Sequence, residues 1–211
     1  MKAKFLTLRL ILVFILGVIS ASCGTISREY PPKHFYALDV SRPADAAVKK
    51  SGPILRIRTF RVSPGFEDKY FVYRSGDSSY ESDFYNEFFV PPGAMLTENI
   101  RQWLSATGLF QYVLDAPSHV LPDFILEGAV TALYGDFRDL KNPLAVMELQ
   151  FFLVHNQRSG SPIAFQKNYR LEIPLKGQTP ADLVQGWNMA LRRILSRLED
   201  DLRGIDLNPK G

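Results

Sequence analysis

The single cysteine of the chain, Cys23, has the surroundings that most clearly indicate a chemical reaction. It directly follows the small residues Ser20, Ala21 and Ser22, and an uncharged apolar run occupies residues 10–19. A basic start, an apolar stretch and small residues at a cut site are the three parts of a secretory signal. A cysteine at this place is typical of a lipobox, in which the thiol is acylated and the chain is cut before it. We therefore expect Cys23 to be the lipid attachment site.

Two other interpretations of this segment fit the sequence less well than a lipobox does. A membrane-spanning helix needs about 20 apolar residues, whereas the second half of the uncharged stretch is Ser, Ala, Cys, Gly and Thr. An ordinary signal that leaves a free cysteine is the other alternative. A lipobox more often carries leucine where this chain has Ser20. Gly24, rather than an aspartate, follows the cysteine, and this favours the outer membrane over retention in the inner membrane.

The net charge of +3 belongs to the leader and not to the exported domain. Residues 1–22 contain three basic residues and no acidic one, so 22 of the 25 Lys and Arg remain after cleavage, against 22 Asp and Glu. Proteins that bind nucleic acid through its phosphates need an excess of positive charge. The neutral mature domain therefore gives no support to a nucleic-acid role, and we expect no nucleic-acid partner.

The remaining residues with reactive side chains do not form a recognisable site in the sequence. No pair of histidines has the spacing of metal ligands, and the HExxH, CxxC, GxSxG and Walker-type patterns are absent. A cluster of carboxylates before residue 90 is best interpreted as a solvated strand edge. We expect no catalytic residue, no cofactor and no metal. The histidines are His34, His119 and His155, and the carboxylates of the cluster are Glu81, Asp83 and Glu87.

Aromatic residues are unusually dense in one part of the chain. Nine of them fall within residues 66–89, which is more than one side of a hairpin can bury. Exposed aromatic side chains commonly anchor protein interfaces. We therefore predict a surface for protein–protein contact or self-association in this region. The candidate residues are Tyr73, Tyr80, Tyr85 and Phe88.

The first half of the chain is predicted to form short strands and one helix, and these elements would position the residues named above. Alternating apolar residues predict strands over residues 34–40 and 53–62. Strands over 69–74 and 79–85 flank a glycine-containing turn and predict a hairpin. Apolar residues at helical spacing predict a helix from residue 91 to residue 107, with Gly108 as its C-cap. A short strand over 109–114 follows.

The second half predicts three consecutive antiparallel strands and a long terminal helix. The strands cover residues 124–134, 144–155 and 163–173. Thr179 can cap the helix, Pro180 suits its first turn, and Asp182 falls at the capping-box position. Gly204 ends the helix. One side of it carries a continuous apolar stripe, and Glu199 belongs to the opposite, charged side.

The order of strands, helix, strands and helix predicts an α/β fold in a single domain. Two main helices are expected to cover one face of a mixed, largely antiparallel sheet. The expected organisation is a lipoprotein signal peptide over residues 1–22, an acylated tether over 23–33 and one domain over 34–211. The tether is polar and contains a Pro-Pro pair, which favours an extended segment.

Several segments of the chain resemble a known family. They are HFYALD (34–39), ILRI (54–57), the aromatic-rich stretch with the following helix (71–110), and DFILEGAVTALYGDF (123–137). Together they resemble the ABC-type transport auxiliary lipoprotein family of the PqiC-like type, over most of the mature chain. The aromatic hairpin before Pro91 and the run from Trp103 to Phe110 are the most telling parts.

The resemblance implies a role without catalysis. Lipoproteins of this family accompany an ABC permease, its ATPase and a periplasmic MCE-domain protein, which together move phospholipids or other hydrophobic molecules between membranes. The lipoprotein is expected to dock the MCE assembly at the outer membrane from the periplasmic side. Members of the family can form ring-like homo-oligomers, so a homo-oligomer of this chain is a further expectation. Residues 34–211 would then be an ABC-type transport auxiliary domain, with the membrane held through acylated Cys23.

Two other functions remain open from the residues alone. A stand-alone lipid-binding or lipopolysaccharide-assembly lipoprotein would need an apolar cavity between the sheet and the helices. A periplasmic hydrolase is a distant third, because the sequence shows none of the residue combinations that form hydrolase active sites. Turnover that is lost with one of the three histidines would favour it.

Overall fold

The structure is a computed structural model that describes residues 31–43, 51–157, 160 and 162–207. Cys23, the predicted signal peptide and most of the predicted tether lie outside the described residues. Nine strands and two helices are present in the part described. The strands are β1 His34–Tyr36, β2 Ile54–Ile57, β3 Arg61–Val62, β4 Tyr70–Arg74, β5 Tyr80–Phe88, β6 Tyr112–Leu114, β7 Phe124–Asp136, β8 Leu144–His155 and β9 Ile163–Pro174. The helices are α1 Pro92–Ser105 and α2 Pro180–Arg203.

The long strand β7 organises the sheet. One of its edges pairs with β8 in an antiparallel ladder along the whole strand, and β8 pairs with β9 in the same way. Its other edge pairs in parallel with β2, β3 and β4, one after another. β6 extends the sheet beside β2, and β5 and then β1 extend it beside β4. The sheet is mixed, with its longest ladders antiparallel, and the predicted α/β fold class is confirmed.

A β-bulge divides β7 into two parts. The ladder with β8 shifts register between Val130 and Ala132. An extra residue reverses the alternation of side chains along a strand. Val130 and Leu133 therefore both belong to the main core, while Ala132 joins a small cluster on the opposite side. We call the side that packs against the helices the covered face, and the opposite side the open face.

Both helices pack on the covered face through apolar stripes. Trp187 of α2 is fully buried, and its indole N–H donates to the carbonyl of Val146 at 3.2 Å. Gly186 permits a close approach, since a Cβ there would lie 2.6 Å from the side chain of Ala145. The buried helix residues include Met95, Leu96, Ile100, Trp103, Leu104, Leu191, Ile194, Leu195, Leu198 and Leu202.

No helix in the described ranges is long and apolar enough to cross a bilayer.

The ends of α2 confirm the predictions made from its sequence. The hydroxyl of Thr179 accepts a hydrogen bond from the backbone N–H of Asp182 at 3.1 Å. The Asp182 carboxylate in turn accepts from the backbone N–H of Thr179 at 3.2 Å, which completes a capping box. Pro180 occupies the first turn, and Gly204 is the C-cap. These signals are local, so they do not depend on the rest of the fold.

Two predicted strands are shorter in the structure because α1 binds their backbone. The strand predicted over 34–40 ends at Tyr36, and beyond it the N–H of Val40 donates to the side chain of Asn99 at 3.0 Å. The strand predicted over 53–62 is split, because the N–H of Phe60 donates to the hydroxyl of Thr97 at 2.9 Å. Backbone groups that leave a sheet need other partners. The polar residues of α1 provide them.

Candidate interaction surface

The four predicted surface residues lie on different sides of the sheet. Tyr73 packs against Phe137, which belongs to the layer around the main core. Tyr80 contacts Phe66 and Tyr134, which belong to the small cluster of the open face. Successive pairs of residues in the β4–β5 hairpin alternate between the two faces. The structure therefore does not bring the predicted residues together into one surface.

Tyr73 is half-buried and bonded to a carboxylate. Its hydroxyl donates to Asp83 at 2.9 Å. Burial and this neighbouring carboxylate raise the pKa of Tyr73. Partial burial also raises the pKa of Asp83, but hydrogen bonds from Asn86, from the N–H of Tyr85 and from Tyr73 outweigh it, so the net pKa is lowered. Asp83 is thus a fixed acceptor, and its assignment to a solvated edge was wrong.

The other two carboxylates of the predicted acidic edge differ from each other. Glu81 is exposed, as expected for a solvated residue. Glu87 is buried, and its carboxylate lies 3.6 Å from the amine of Lys33. An isolated buried charge is unfavourable, and a partner of opposite sign compensates for it. The solvated-edge interpretation therefore fails for Glu87 as it does for Asp83.

An open groove runs beside Tyr73. It has a volume of about 600 Å³ and extends to the start of α2. Arg138 is paired with Asp136 at 2.7 Å and with Asp77 at 3.3 Å. The groove thus combines aromatic, apolar and acidic side chains. Its lining residues are Tyr73, Ser75, Glu81, Asp83, Phe137, Arg138, Leu140, Gln178 and Pro180.

Tyr80 packs against two other aromatic side chains on the open face. Its ring centroid lies 5.7 Å from that of Tyr134 and 6.4 Å from that of Phe66. The guanidinium of Arg74 lies 5.7 Å from the centre of the Tyr80 ring. Tyr80 is nevertheless 48% exposed. A large aromatic side chain, held in place and left accessible, has the properties of an interface anchor.

Phe88 is a core residue, and its place in the predicted surface is corrected. It is only 2% exposed, and its ring lies 4.8 Å from Phe71 and 5.3 Å from Trp187. It points to the covered face, so α2 removes it from water. Tyr85, the fourth candidate, is half-buried beside Phe84, at a centroid distance of 5.4 Å.

The structure shows a second aromatic surface that sequence reasoning missed. Phe35, Phe84 and Phe89 are 53%, 57% and 67% exposed. The ring of Phe35 lies 6.4 Å from that of Phe89, and Tyr70 stacks on Phe84 at 6.2 Å. The amine of Lys33 lies 4.3 Å from the centre of the Phe84 ring. We call Lys33, Phe35, Tyr70, Phe84 and Phe89 the tether-side cluster, because the predicted tether leads into it.

The exposure of one member of this cluster, Phe89, could have been anticipated from the sequence. Phe88 and Phe89 are adjacent, and neighbouring residues of an extended chain point to opposite sides. One of the two must therefore face away from the core. The position of Phe35 beside Phe89 could not be predicted from the sequence in this way. It depends on the parallel pairing of β1 with β5, which are far apart along the chain.

A buried carboxylate holds the segment that follows β1. Glu199 of α2 is 6% exposed and accepts hydrogen bonds from Arg42 at 3.0 Å, from Arg203 at 2.6 Å and from the indole of Trp103 at 3.1 Å. Burial raises the pKa of Glu199, but the hydrogen bonds from both arginines outweigh this and lower it. The assignment of Glu199 to the solvated side of α2 was therefore wrong.

The three histidines occupy separate places in the fold. His34 lies in β1 and His119 in the loop before β7, and both are exposed. His155 ends β8, and its ring lies 4.4 Å from that of Phe124. Within the described ranges no group of three or more His, Cys, Asp or Glu residues could hold a metal ion.

Comparison with known proteins identifies the fold. No family model matches the sequence, and no curated protein matches it either. The crystal structure of a DUF330 protein from Xanthomonas campestris is similar, with a TM-score of 0.69 and 16% identity, and the match covers 79% of this chain and 92% of that one. The chain has the fold of a DUF330 protein.

A second solved structure agrees with this result. The crystal structure of an uncharacterized protein has a TM-score of 0.64 and 16% identity to this chain. The match covers 82% of this chain and 99% of the other. At such low identities the similarity shows the fold alone, and function must be argued from the surfaces of this chain.

Proposed function

We propose that the protein is a non-catalytic lipoprotein adaptor of an MCE-type ABC transport system. It is anchored through acylated Cys23 to the outer membrane and faces the periplasm. There it docks the MCE-domain protein, whose permease and ATPase move phospholipids or other hydrophobic molecules across the envelope. The observation that carries this proposal is the exposed aromatic surface that the DUF330-like fold presents around Tyr80.

The surface around Tyr80 is suited to bind a protein partner. Interface hot spots are enriched in Tyr, Trp and Arg, and Tyr80 and Arg74 lie together on the open face. Phe66 and Tyr134 fix the Tyr80 ring, so little side-chain freedom is lost when a partner binds. We assign docking of the MCE protein to this surface.

Co-purification tests the assignment. The full-length chain, tagged at its C-terminus, is extracted from membranes in mild detergent, and bound proteins are identified by mass spectrometry. We expect an MCE-domain protein to co-purify with its permease and ATPase. Tyr80→Ala should weaken its binding about 30-fold, which is the effect of losing a hot spot worth about 2 kcal/mol.

Tyr112→Ala is the matched control for Tyr80→Ala. Tyr112 is 57% exposed in β6, at the opposite end of the sheet path from β1. Its loss should leave the MCE protein bound at the wild-type level. Equal binding by both variants would refute the surface assignment, and a wild-type chain that captures no MCE protein would refute the transport role.

A stand-alone lipid-binding lipoprotein is the second candidate, and one observation favours it. The groove beside Tyr73 includes Phe137 and the exposed Leu140, which could contact an acyl chain. The space between sheet and helices offers less room, because large side chains such as Trp187 and Phe71 fill it. Native mass spectrometry of the purified chain would show a retained lipid if this candidate is right.

A further inference from the structure

The tether-side cluster exposes apolar rings that the fold holds in place. The backbone N–H of Phe89 donates to the carbonyl of Tyr36 at 2.7 Å, and that of Phe88 donates to the carbonyl of Lys69 at 2.7 Å. These bonds tie the end of β5 and the residue after it to β1 and to the residue before β4. The rings of Phe35 and Phe89 are therefore presented by a bonded framework. Contiguous exposed apolar groups of this kind mark sites of interaction.

The position of the cluster indicates what covers it. Lys33 belongs to the cluster and lies only ten residues after Cys23. A fully extended chain of that length spans at most about 35 Å. If Cys23 carries acyl chains, the cluster is the part of the described domain whose distance from the bilayer is most tightly limited.

The chemistry of the cluster fits a membrane–water interface. Phenylalanine and tyrosine rings bury their apolar bodies at the headgroup level, while lysine stems lie along apolar surface with the amine in water. The amine of Lys69 lies 3.5 Å from the carbonyl of Phe89, and Lys33 borders Phe84. Both amines therefore lie beside exposed rings of the cluster, as basic groups do at a headgroup layer. The carboxylate that Lys33 contacts, Glu87, is buried.

We propose that the tether-side cluster inserts Phe35, Phe84 and Phe89 into the surface of the bilayer that holds the anchor. The domain then contacts the membrane through two elements, the acyl chains and the aromatic cluster. This contact fixes which face of the domain is turned to the membrane. The proposal rests on the acylation of Cys23 that the proposed function includes, and it does not depend on the identity of the transport partner.

Tryptophan fluorescence with brominated lipids tests the contact. The full-length acylated chain carrying Phe89→Trp is reconstituted into vesicles of phosphatidylethanolamine and phosphatidylglycerol with brominated acyl chains. The native Trp103 and Trp187 are buried and give a constant background. We expect the added tryptophan to lose much of its emission to the bromine and to shift to shorter wavelength. Phe84→Trp serves as a second reporter should Phe89→Trp fail to fold.

Tyr112→Trp is the control, because it places an exposed tryptophan at the other end of the sheet path. Its emission should be the same with brominated and with ordinary lipid. Vesicle flotation separates the possible failures. Protein that floats but shows no greater quenching at either reporter than at Tyr112→Trp overturns the membrane contact and leaves the anchored adaptor intact.

Two other outcomes also overturn the proposal. Protein that does not float lacks the anchor, and both the contact and the proposed function then fail. A short-wavelength emission from Phe89→Trp that is equal with brominated and ordinary lipid, and present without vesicles, shows that protein and not lipid covers the cluster.

Discussion

Two outer strands of the sheet, β9 and β1, expose different chemistry. β9 is twelve residues long, and apart from Ile163 at its start its exposed positions are mainly polar or charged, among them Gln166, Lys167, Asn168, Arg170 and Glu172. β1 is three residues long and exposes Phe35 beside Phe84 and Phe89. Charged side chains and short length are both ways to keep an edge from pairing with another chain. The apolar rings at β1 serve no such purpose, so their exposure requires another explanation.

Ion pairs show how β9 is adapted to water. Arg170 contacts Glu148 at 2.9 Å, and Lys167 contacts Asp201 at 2.7 Å. At β1, Lys33 contacts two aromatic rings and the carboxylate of Glu87. The comparison shows that one margin of this sheet exposes mainly charged and polar side chains, whereas the other exposes aromatic rings. Five substitutions and a pH series can break or sharpen this conclusion.

The largest effect is expected from the pair Phe88 and Phe89, which adjoin in sequence and differ in burial. Phe88→Ala should lower the free energy of unfolding by about 3–5 kcal/mol, because it opens a cavity between Phe71 and Trp187. Phe89→Ala should change it by less than about 0.5 kcal/mol, as for other exposed positions. Urea unfolding followed by tryptophan fluorescence measures both. Similar losses for the two variants would contradict the assignment of Phe89 to a functional surface.

Glu199→Gln should have the next largest effect on stability. It removes the charge that Arg42 and Arg203 contact at 3.0 Å and 2.6 Å. Hydrogen bonds to charged groups contribute about 1.5–3 kcal/mol, and we expect a loss in this range. Glu172→Gln on the solvated β9 margin is the control, and should cost at most about 0.5 kcal/mol. The same urea experiment decides, and equal losses would show that burial of Glu199 is unimportant.

Acid should weaken the protein through the same carboxylate. The pKa of Glu199 is lower in the folded protein than its ordinary value of 4.5. A group with a depressed folded pKa stabilises the fold above the unfolded pKa and loses that contribution as the pH falls through the folded pKa. Stability should therefore decline below about pH 4.5, and less steeply in Glu199→Gln. A thermal unfolding series from pH 7 to pH 3 measures this, and parallel curves would contradict it.

A small change in stability is also expected on the β9 margin. Arg170→Val removes surface ion pairs worth about 0.2–1 kcal/mol and makes the edge more apolar. We expect a slight loss of stability together with a rise in self-association at high concentration, measured by light scattering. A variant whose self-association matches that of the wild type at every concentration would show that charge is not what protects this edge.

Local signals in the sequence predicted the long elements well. The capping residues of α2 and the alternation in β8 specified those elements to within a residue, because the forces involved act between near neighbours. The hairpin of β4 and β5 was predicted for the same reason. Burial periodicity and turn chemistry therefore account for the antiparallel part of the sheet.

The parts that escaped prediction depend on contacts between distant residues. The early end of β1 follows from hydrogen bonds to Asn99 in α1, and the burial of Glu199 follows from Arg42, which is far away in sequence. The tether-side cluster exists because β1 pairs with β5 in parallel. No single segment carries the information for such pairings. For that reason the sequence pointed to the correct aromatic region but to the wrong side chain at Phe88.

The acylation of Cys23 is the claim on which the membrane-anchored account depends. Mass spectrometry of the full-length chain, purified from membranes and digested, tests it directly. The account predicts an N-terminal peptide that begins at Cys23 and carries the mass of a diacylglyceryl group on the thiol. An unmodified thiol at Cys23, or a mature chain that begins at another residue, would contradict the account.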